Sequence, residues 1–310
     1  MKITVAGEFI IGMLGNGFIV LVNCTDWMKN QMLSAADGIL TSLAVSRIIL
    51  LWITLFNSSV MVFWPHLYHI DKLANALSIL WTLTNHLSTW FATCLSVFYF
   101  FKIANFSHRC FSWLRWRISR VLLVLTLGSL FLLFFNFKLL DGFTDLWVIF
   151  YQNYERNSTW PLDVSNTLCL NSLIMLSFIY LTPFLLSLTS LLLLFLSLMR
   201  HTRSLHLNSS SGDFRTEAHK KAMKMVMSFL ILSTVHFFSM QLTVWTFVSL
   251  QKHHASLAVT LISALFPSGH SFVLILGNRK LRQAAVGLLR HLSCHLKMAE
   301  VLNGHNFLQL

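Results

Sequence analysis

The chain of 310 residues is 55% hydrophobic and only 11% charged, with a net charge of +12. A soluble domain of this size carries about 25% charged residues, so a water-covered globule is excluded and the bilayer becomes the expected solvent. The cations gather on alternate connecting segments rather than in one basic face, which argues against a nucleic-acid binder.

Crossing the hydrocarbon takes about 20 mostly apolar residues, and an isolated crossing segment must be helical to satisfy its own backbone. Seven such runs follow one another, at about 3–24, 37–63, 76–101, 121–140, 172–198, 223–250 and 256–277. The pattern predicts an all-α, seven-transmembrane-helix bundle over residues 1–278, then a cytoplasmic amphipathic helix and tail over 279–310. No internal repeat stands out, which weakens a transporter built from inverted halves.

Several runs carry polar residues that lipid alone would not tolerate. The first contains Asn16 and the second Arg47, about ten residues in and too deep to snorkel easily. With Ser46, and with His270 and Ser271 of the seventh run, they form an expected polar cluster among the first, second and seventh helices. Pro267 loosens the seventh backbone nearby, and His270 reads as a hydrogen-bond partner rather than a pH sensor. The same set is equally consistent with simple interhelical glue.

The third run places Trp81 and Asn85 four residues apart, on one helical face. An indole beside an amide suits a mostly apolar ligand with one polar handle. The sixth run offers His236, Phe237, Met240, Gln241 and Trp245, of which 237, 241 and 245 share a stripe; such a stripe is core packing as readily as a pocket. The fourteen histidines form no HExxH pattern, and neither a GxSxG elbow nor a Gly-rich phosphate loop is present. The expectation is no enzyme, no metal and no cofactor.

Seventeen of the 23 Lys and Arg residues lie on the segments after the first, third, fifth and seventh runs; five lie on the other set, and Arg47 sits within the second run. The cation-rich side is cytoplasmic. That puts the N-terminus outside and the C-terminus inside. Asn157-Ser158-Thr159 is then a glycosylation acceptor in the second outside loop. Of five cysteines only Cys169 falls outside, so no extracellular disulfide is expected. Cys294 is a candidate for palmitoylation or an ordinary thiol. After Asn278 the apolar residues Leu281, Ala285, Leu288, Leu289, Leu292 and Leu296 recur at helical spacing opposite cations, the pattern of a helix lying on the inner leaflet. No cleavable signal peptide is expected, and an N-terminus a few residues long leaves no room for a large outside domain.

Six stretches, LGNGFIVLVN, LAVSR, TWFATCLSVFYFFKIANFSH, LFLSLMRHT, RTEAHKKAMKMVMSFL and HSFVLILGNRKLRQ, occur in this order. Together they make the chain resemble the type 2 taste receptors, the bitter receptors. The resemblance implies a G-protein-coupled receptor at the plasma membrane. Its partners would be a bitter small-molecule agonist, a heterotrimeric G protein of the gustducin type and membrane lipids. It also implies that Trp81 and Asn85 line the ligand cavity, that Thr260 contacts agonists, that Asn157 carries glycan, and that His236 stands where relatives often have Tyr. DRY, CWxP and NPxxY are replaced by FYFFK, a proline-free sixth helix and HSFVL. At the cytoplasmic face Lys102, Arg200, His201, Lys221 and Lys224 are candidates to meet carboxylates of the G protein, with Tyr99 as a hydrogen-bond donor. The same cations also serve topology and lipid headgroups. The alternative readings are another seven-helix chemosensory receptor, of the first vomeronasal type, or a small-solute transporter.

Overall fold

The computed structural model describes residues 2–32, 34–63, 71–106, 108–155, 162–208, 213–249 and 267–307. All regular structure among them is helical: α1 (Lys2–Asn30), α2 (Ala35–Phe63), α3 (Asp71–Ile103), α4 (Arg109–Trp116), α5 (Ile118–Glu155), α6 (Leu162–Asn208), α7 (Asp213–Ser249), α8 (267–277) and α9 (Arg279–Phe307). Among the described residues, five segments are long and apolar enough to cross a membrane: Gly7–Asn30, Ala35–Val60, Ile118–Lys138, Ser177–Arg203 and Lys220–Leu242. The third run falls below that apolarity for a visible reason. Thr82, Thr84, Asn85, His86, Ser88 and Thr93 are all buried along α3, which packs against α2, α4, α5 and α6. A helix surrounded by protein can be more polar than its lipid-facing neighbours.

Most helices overrun the predicted spans. The sixth extends back to Asp213 and the fifth forward to Asn208, so the basic connection between them is largely helical. Hydropathy reports only the apolar middle of a helix, and polar end turns continue it into the headgroup region. The short helix α4 has no counterpart among the predicted elements because it is basic and only eight residues long. Residues 256–266 of the seventh predicted run lie outside the described residues.

Chain breaks follow side-chain chemistry. Gln31 ends α1 in the left-handed region (φ 54°) and returns its N–H to Trp27 O at 2.8 Å, a helix-ending arrangement. Ser34 then caps α2: its Oγ accepts from Asp37 N–H at 3.1 Å and donates to Asp37 Oδ2 at 2.8 Å. Asn278 separates α8 from α9 by accepting from Lys280 N–H at 2.9 Å and Leu281 N–H at 3.4 Å. The first turns of α9 are part of the bundle, since Leu281 is fully buried and Ala285 packs on the core. Beyond them Leu288, Leu289 and Leu292 are exposed.

The exposed faces of the spanning helices are apolar, with Leu123, Leu127 and Phe131 exposed on α5. Lipid tails are as apolar as leucine, so helix association here rests on close packing and hydrogen bonds. Two α1 glycines permit it. A Cβ on Gly12 would lie 2.7 Å from Leu51 Cδ1 and from Ser268 Oγ, and one on Gly15 would strike Ser271 Oγ. Gly17 faces open space. Gly15→Val therefore overpacks the α1–α8 seam and destabilises the bundle by about 1–3 kcal/mol, lowering its thermal unfolding midpoint in detergent. Gly17→Ala leaves that midpoint unchanged or raises it; equal losses in both would show that the seam does not limit stability.

Candidate functional site

Of the sequence-predicted polar cluster, Arg47 and His270 meet directly, and Ser88 of α3 joins them. Arg47 is fully buried. Its Nη2 lies 2.5 Å from His270 Nδ1 and its Nε 3.4 Å from Ser88 Oγ, so α2 is tied to α8 and α3. A guanidinium only donates; Nδ1 of His270 therefore accepts and the ring proton sits on Nε2. Phe229 of α7 stands edge-on to the His270 ring, centroids 4.6 Å apart. Asn16 joins α8 by a separate route: its Nδ2 donates to Gly12 O at 2.8 Å and to Pro267 O at 3.3 Å. The hydroxyls of Ser46 and Ser271 bond within their own helices, to Leu43 O and Ser268 O. Sequence reading missed Ser88, although the density of small polar residues on α3 marked that helix as facing protein.

Above this junction Asn85 is fully buried and its Nδ2 points at Met240 Sδ, 3.7 Å away across α7. Tyr180 of α6 is buried between the amides of Asn85 and of Asn136 on α5. Asn136 was not foreseen, being a single Asn in an otherwise apolar run. Asn85 Oδ1, Asn136 Nδ2 and Gln241 Nε2 are buried atoms with no hydrogen-bond partner, while Gln241 Oε1 accepts from Ser177 Oγ at 2.7 Å. Phe237 stacks on Phe184, centroids 4.3 Å apart.

His236, Phe237 and Met240 line a cavity with Thr89, Thr93 and Tyr180; it encloses about 30 Å³. Small-molecule sites usually hold about 300–1,000 Å³, so this one must widen to admit an organic ligand. Trp81, one turn outward of Asn85, is half-buried and is not part of that lining. Thr260 and Asn157 lie outside the described residues, and of Trp245 only the backbone is described.

The opposite end is open. A cleft of about 920 Å³ lies between α2, α3, α7, α8 and α9, and its lining includes Tyr99, Lys102, Lys221 and Lys224. Four of the six residues singled out for this face thus come together. Arg200 and His201 are exposed on α6 outside that lining. Asp37 is the one acidic residue described there, and it is engaged: Lys280 Nζ lies 3.3 Å from Asp37 Oδ2 and 2.6 Å from Asp26 Oδ2, joining α9 to α1 and α2. Those are the ion pairs among the described residues, so Lys102, Lys221, Lys224, Arg279 and Arg282 leave the cleft strongly positive.

The Arg47 junction makes a measurable coupling. His270→Leu strands a buried donor and lowers stability by about 1–3 kcal/mol. In the double variant Arg47→Met/His270→Leu the loss is smaller than the sum of the two single losses. Thermal unfolding of the four purified proteins checks this; strict additivity would show that the two side chains do not interact.

The family model described as "Taste receptor protein (TAS2R)" matches residues 1–293. "Taste receptor type 2 member 42" of Papio hamadryas is 53% identical over 297 residues, covering 94% of this chain and 93% of its own length. The Homo sapiens protein of that name is 50% identical over 299 residues, with the same two shares. "Taste receptor type 2 member 7" of Papio hamadryas is 40% identical over 306 residues, covering 98% and 95%. Similarity of this extent, running through both the outer site and the inner cleft, means that the chain belongs to the taste receptor (TAS2R) family.

Proposed function

We propose that this chain is a bitter-taste G-protein-coupled receptor of the plasma membrane, crossing seven times with its N-terminus outside. A small-molecule agonist enters the outer half of the bundle, and the receptor signals to a gustducin-type G protein at the cytoplasmic face. The observation that carries the reading is the convergence of Tyr99, Lys102, Lys221 and Lys224 on one large cleft in a member of a taste receptor family. A positive cleft of that size accommodates the end of a helix bearing carboxylates, and the complementary charges speed the encounter.

Each step has a residue in this chain. Trp81 and Phe237 offer aromatic surface to the agonist, and Asn85 Oδ1 and Gln241 Nε2 are buried polar atoms without a hydrogen-bond partner. Thr260 contributes from the outer part of the seventh helix, and Asn157 carries glycan outside. Because the cavity beside His236 is small, agonist entry must displace Met240 from Asn85 and separate α7 from α6. A ligand shifts an equilibrium only by its difference in affinity for the two arrangements; here the difference arises from amide groups that gain a partner only when the site is open. The movement passes Phe229 and His270 of the Arg47 junction, together with Asn16, Pro267 and Ser271, and reaches Lys221 and Lys224, which sit on the same helix α7. Arg200 and His201 extend the cationic surface beyond the cleft.

In cells carrying a gustducin chimera, Asn85→Ala and Trp81→Ala weaken agonist potency in calcium release by roughly 5- to 100-fold, the equivalent of about 1–3 kcal/mol. Lys221→Ala/Lys224→Ala lowers the maximal response at unchanged surface expression. Unchanged potency and efficacy in all of these variants would refute both assignments. Epitope tags at the two ends test the odd number of crossings: only one is accessible in unpermeabilised cells, and access to both would overturn the topology.

A further inference from the structure

We infer that the connection between α3 and α5 holds an acidic phospholipid headgroup, bound by the Arg117 guanidinium between the indoles of Trp113 and Trp116. The helix α4 is fixed to the bundle on one side only. His108 Nδ1 caps it by accepting from Cys110 N–H at 3.3 Å. Phe111 is buried among Phe100, Phe101 and Phe106, with ring centroids 5.3–5.5 Å apart, and Leu114 packs on the same cluster. Arg115 donates to Lys102 O at 3.4 Å. These contacts fix which way the other face points. That face carries Trp113 and Trp116, which are 54% and 81% exposed, an unusual amount of bare indole for water to cover.

Arg117 ends the helix, its N–H bonded to Leu114 O. Its guanidinium carbon lies 4.7 Å from the Trp113 ring centre and 5.7 Å from that of Trp116. Stacking holds the planar group still without using its N–H donors, which suits two-point binding of a phosphate. No carboxylate pairs with Arg109, Arg115, Arg117 or Arg120 among the described residues, since both ion pairs there belong to Lys280. The chain has 11 acids for 23 Lys and Arg, so the countercharge for this face has to come from another molecule.

Position decides which molecule. The apolar stretch Ile118–Lys138 begins at the residue after Arg117, so on the membrane topology proposed above the two tryptophans stand at headgroup depth, where indoles concentrate. The exposed apolar row Leu123, Leu127 and Phe131 of α5 starts about two turns farther along the chain, at the depth of the acyl chains on that topology.

The test uses the intact receptor in nanodiscs of phosphatidylcholine with a minor share of phosphatidylserine, without G protein. Bromine is carried on the acyl chains of either one lipid or the other at equal mole fraction. The emission of Trp113 and Trp116 is taken as the difference between wild type and Trp113→Phe/Trp116→Phe. That difference is quenched more by the brominated serine lipid than by the brominated choline lipid, and Arg117→Gln removes the preference while quenching of the remaining tryptophans is unchanged. Arg117→Lys, which keeps charge but loses the planar fork, retains only part of it. Equal quenching by the two lipids, or a preference that survives Arg117→Gln, overturns the proposal. So does shielding of both indoles from either lipid once the heterotrimer is added, which would assign the face to the protein partner.

Discussion

A guanidinium with no exposure to solvent is the constraint from which the rest of this architecture follows. Arg47 cannot be left to lipid, and a bare buried charge is among the most expensive groups a bundle can hold. Its donors therefore dictate position. Ser88 must face it from α3, and His270 from α8 with Nδ1 free to accept. Helix 2 is thereby placed between the central helix and the last one. The glycines of α1 complete the arrangement, because only a chain without side chains at positions 12 and 15 can lie so close to Leu51, Ser268 and Ser271.

The central helix α3 is polar for the same reason. The middle of α3 is enclosed by α2, α5 and α6, and several of its polar side chains reach a neighbouring helix. His86 Nε2 meets Ser129 O of α5 at 2.9 Å, Thr93 Oγ1 donates to Pro183 O of α6 at 3.2 Å, and Ser96 Oγ lies 3.0 Å from Ser187 Oγ. Pro183, in turn, has no N–H to offer its own helix, and its carbonyl is the group that Thr93 of α3 meets. This one helix carries Asn85 toward the outer cavity and Tyr99 and Lys102 into the inner cleft.

Five of the apolar spans were legible because hydropathy depends only on what each residue is, and the Arg47–His270 contact was legible because both residues are conspicuous where they stand. Ser88 and Asn136 were not. A serine or a single asparagine in an apolar run gives no sign of which helix it will meet, and that is decided by the rotation of neighbours about their axes. The pairing of Lys280 with Asp26 and Asp37 was hidden for a related reason: acids in the last turns of α1 and the first turn of α2 look solvated until α9 folds back across them. Four members of the inner cationic set proved to share a cleft, whereas Arg200 and His201 lie on a face of α6 that the run of basic residues alone could not orient.

The two ends of the bundle differ in a way that bears on the proposed mechanism. Among the described residues the cavity beside His236 encloses about 30 Å³ and the cleft lined by Tyr99 and Lys102 about 920 Å³. Beside that cavity a thioether lies against the Asn85 amide, and α6 meets α7 through one stacked pair of phenyl rings and the Ser177–Gln241 hydrogen bond. Sulfur is a weak acceptor, and a methionine side chain repacks at little cost. An oxygen on an entering molecule would therefore replace Met240 on Asn85 at a net gain. The junction at Arg47 and Phe229 is by contrast hydrogen-bonded and tightly packed, and resists deformation. A helix loosened above such a fixed point and free below it moves at both ends together, which is how a change beside Met240 can be felt at Lys221 and Lys224 on the same helix.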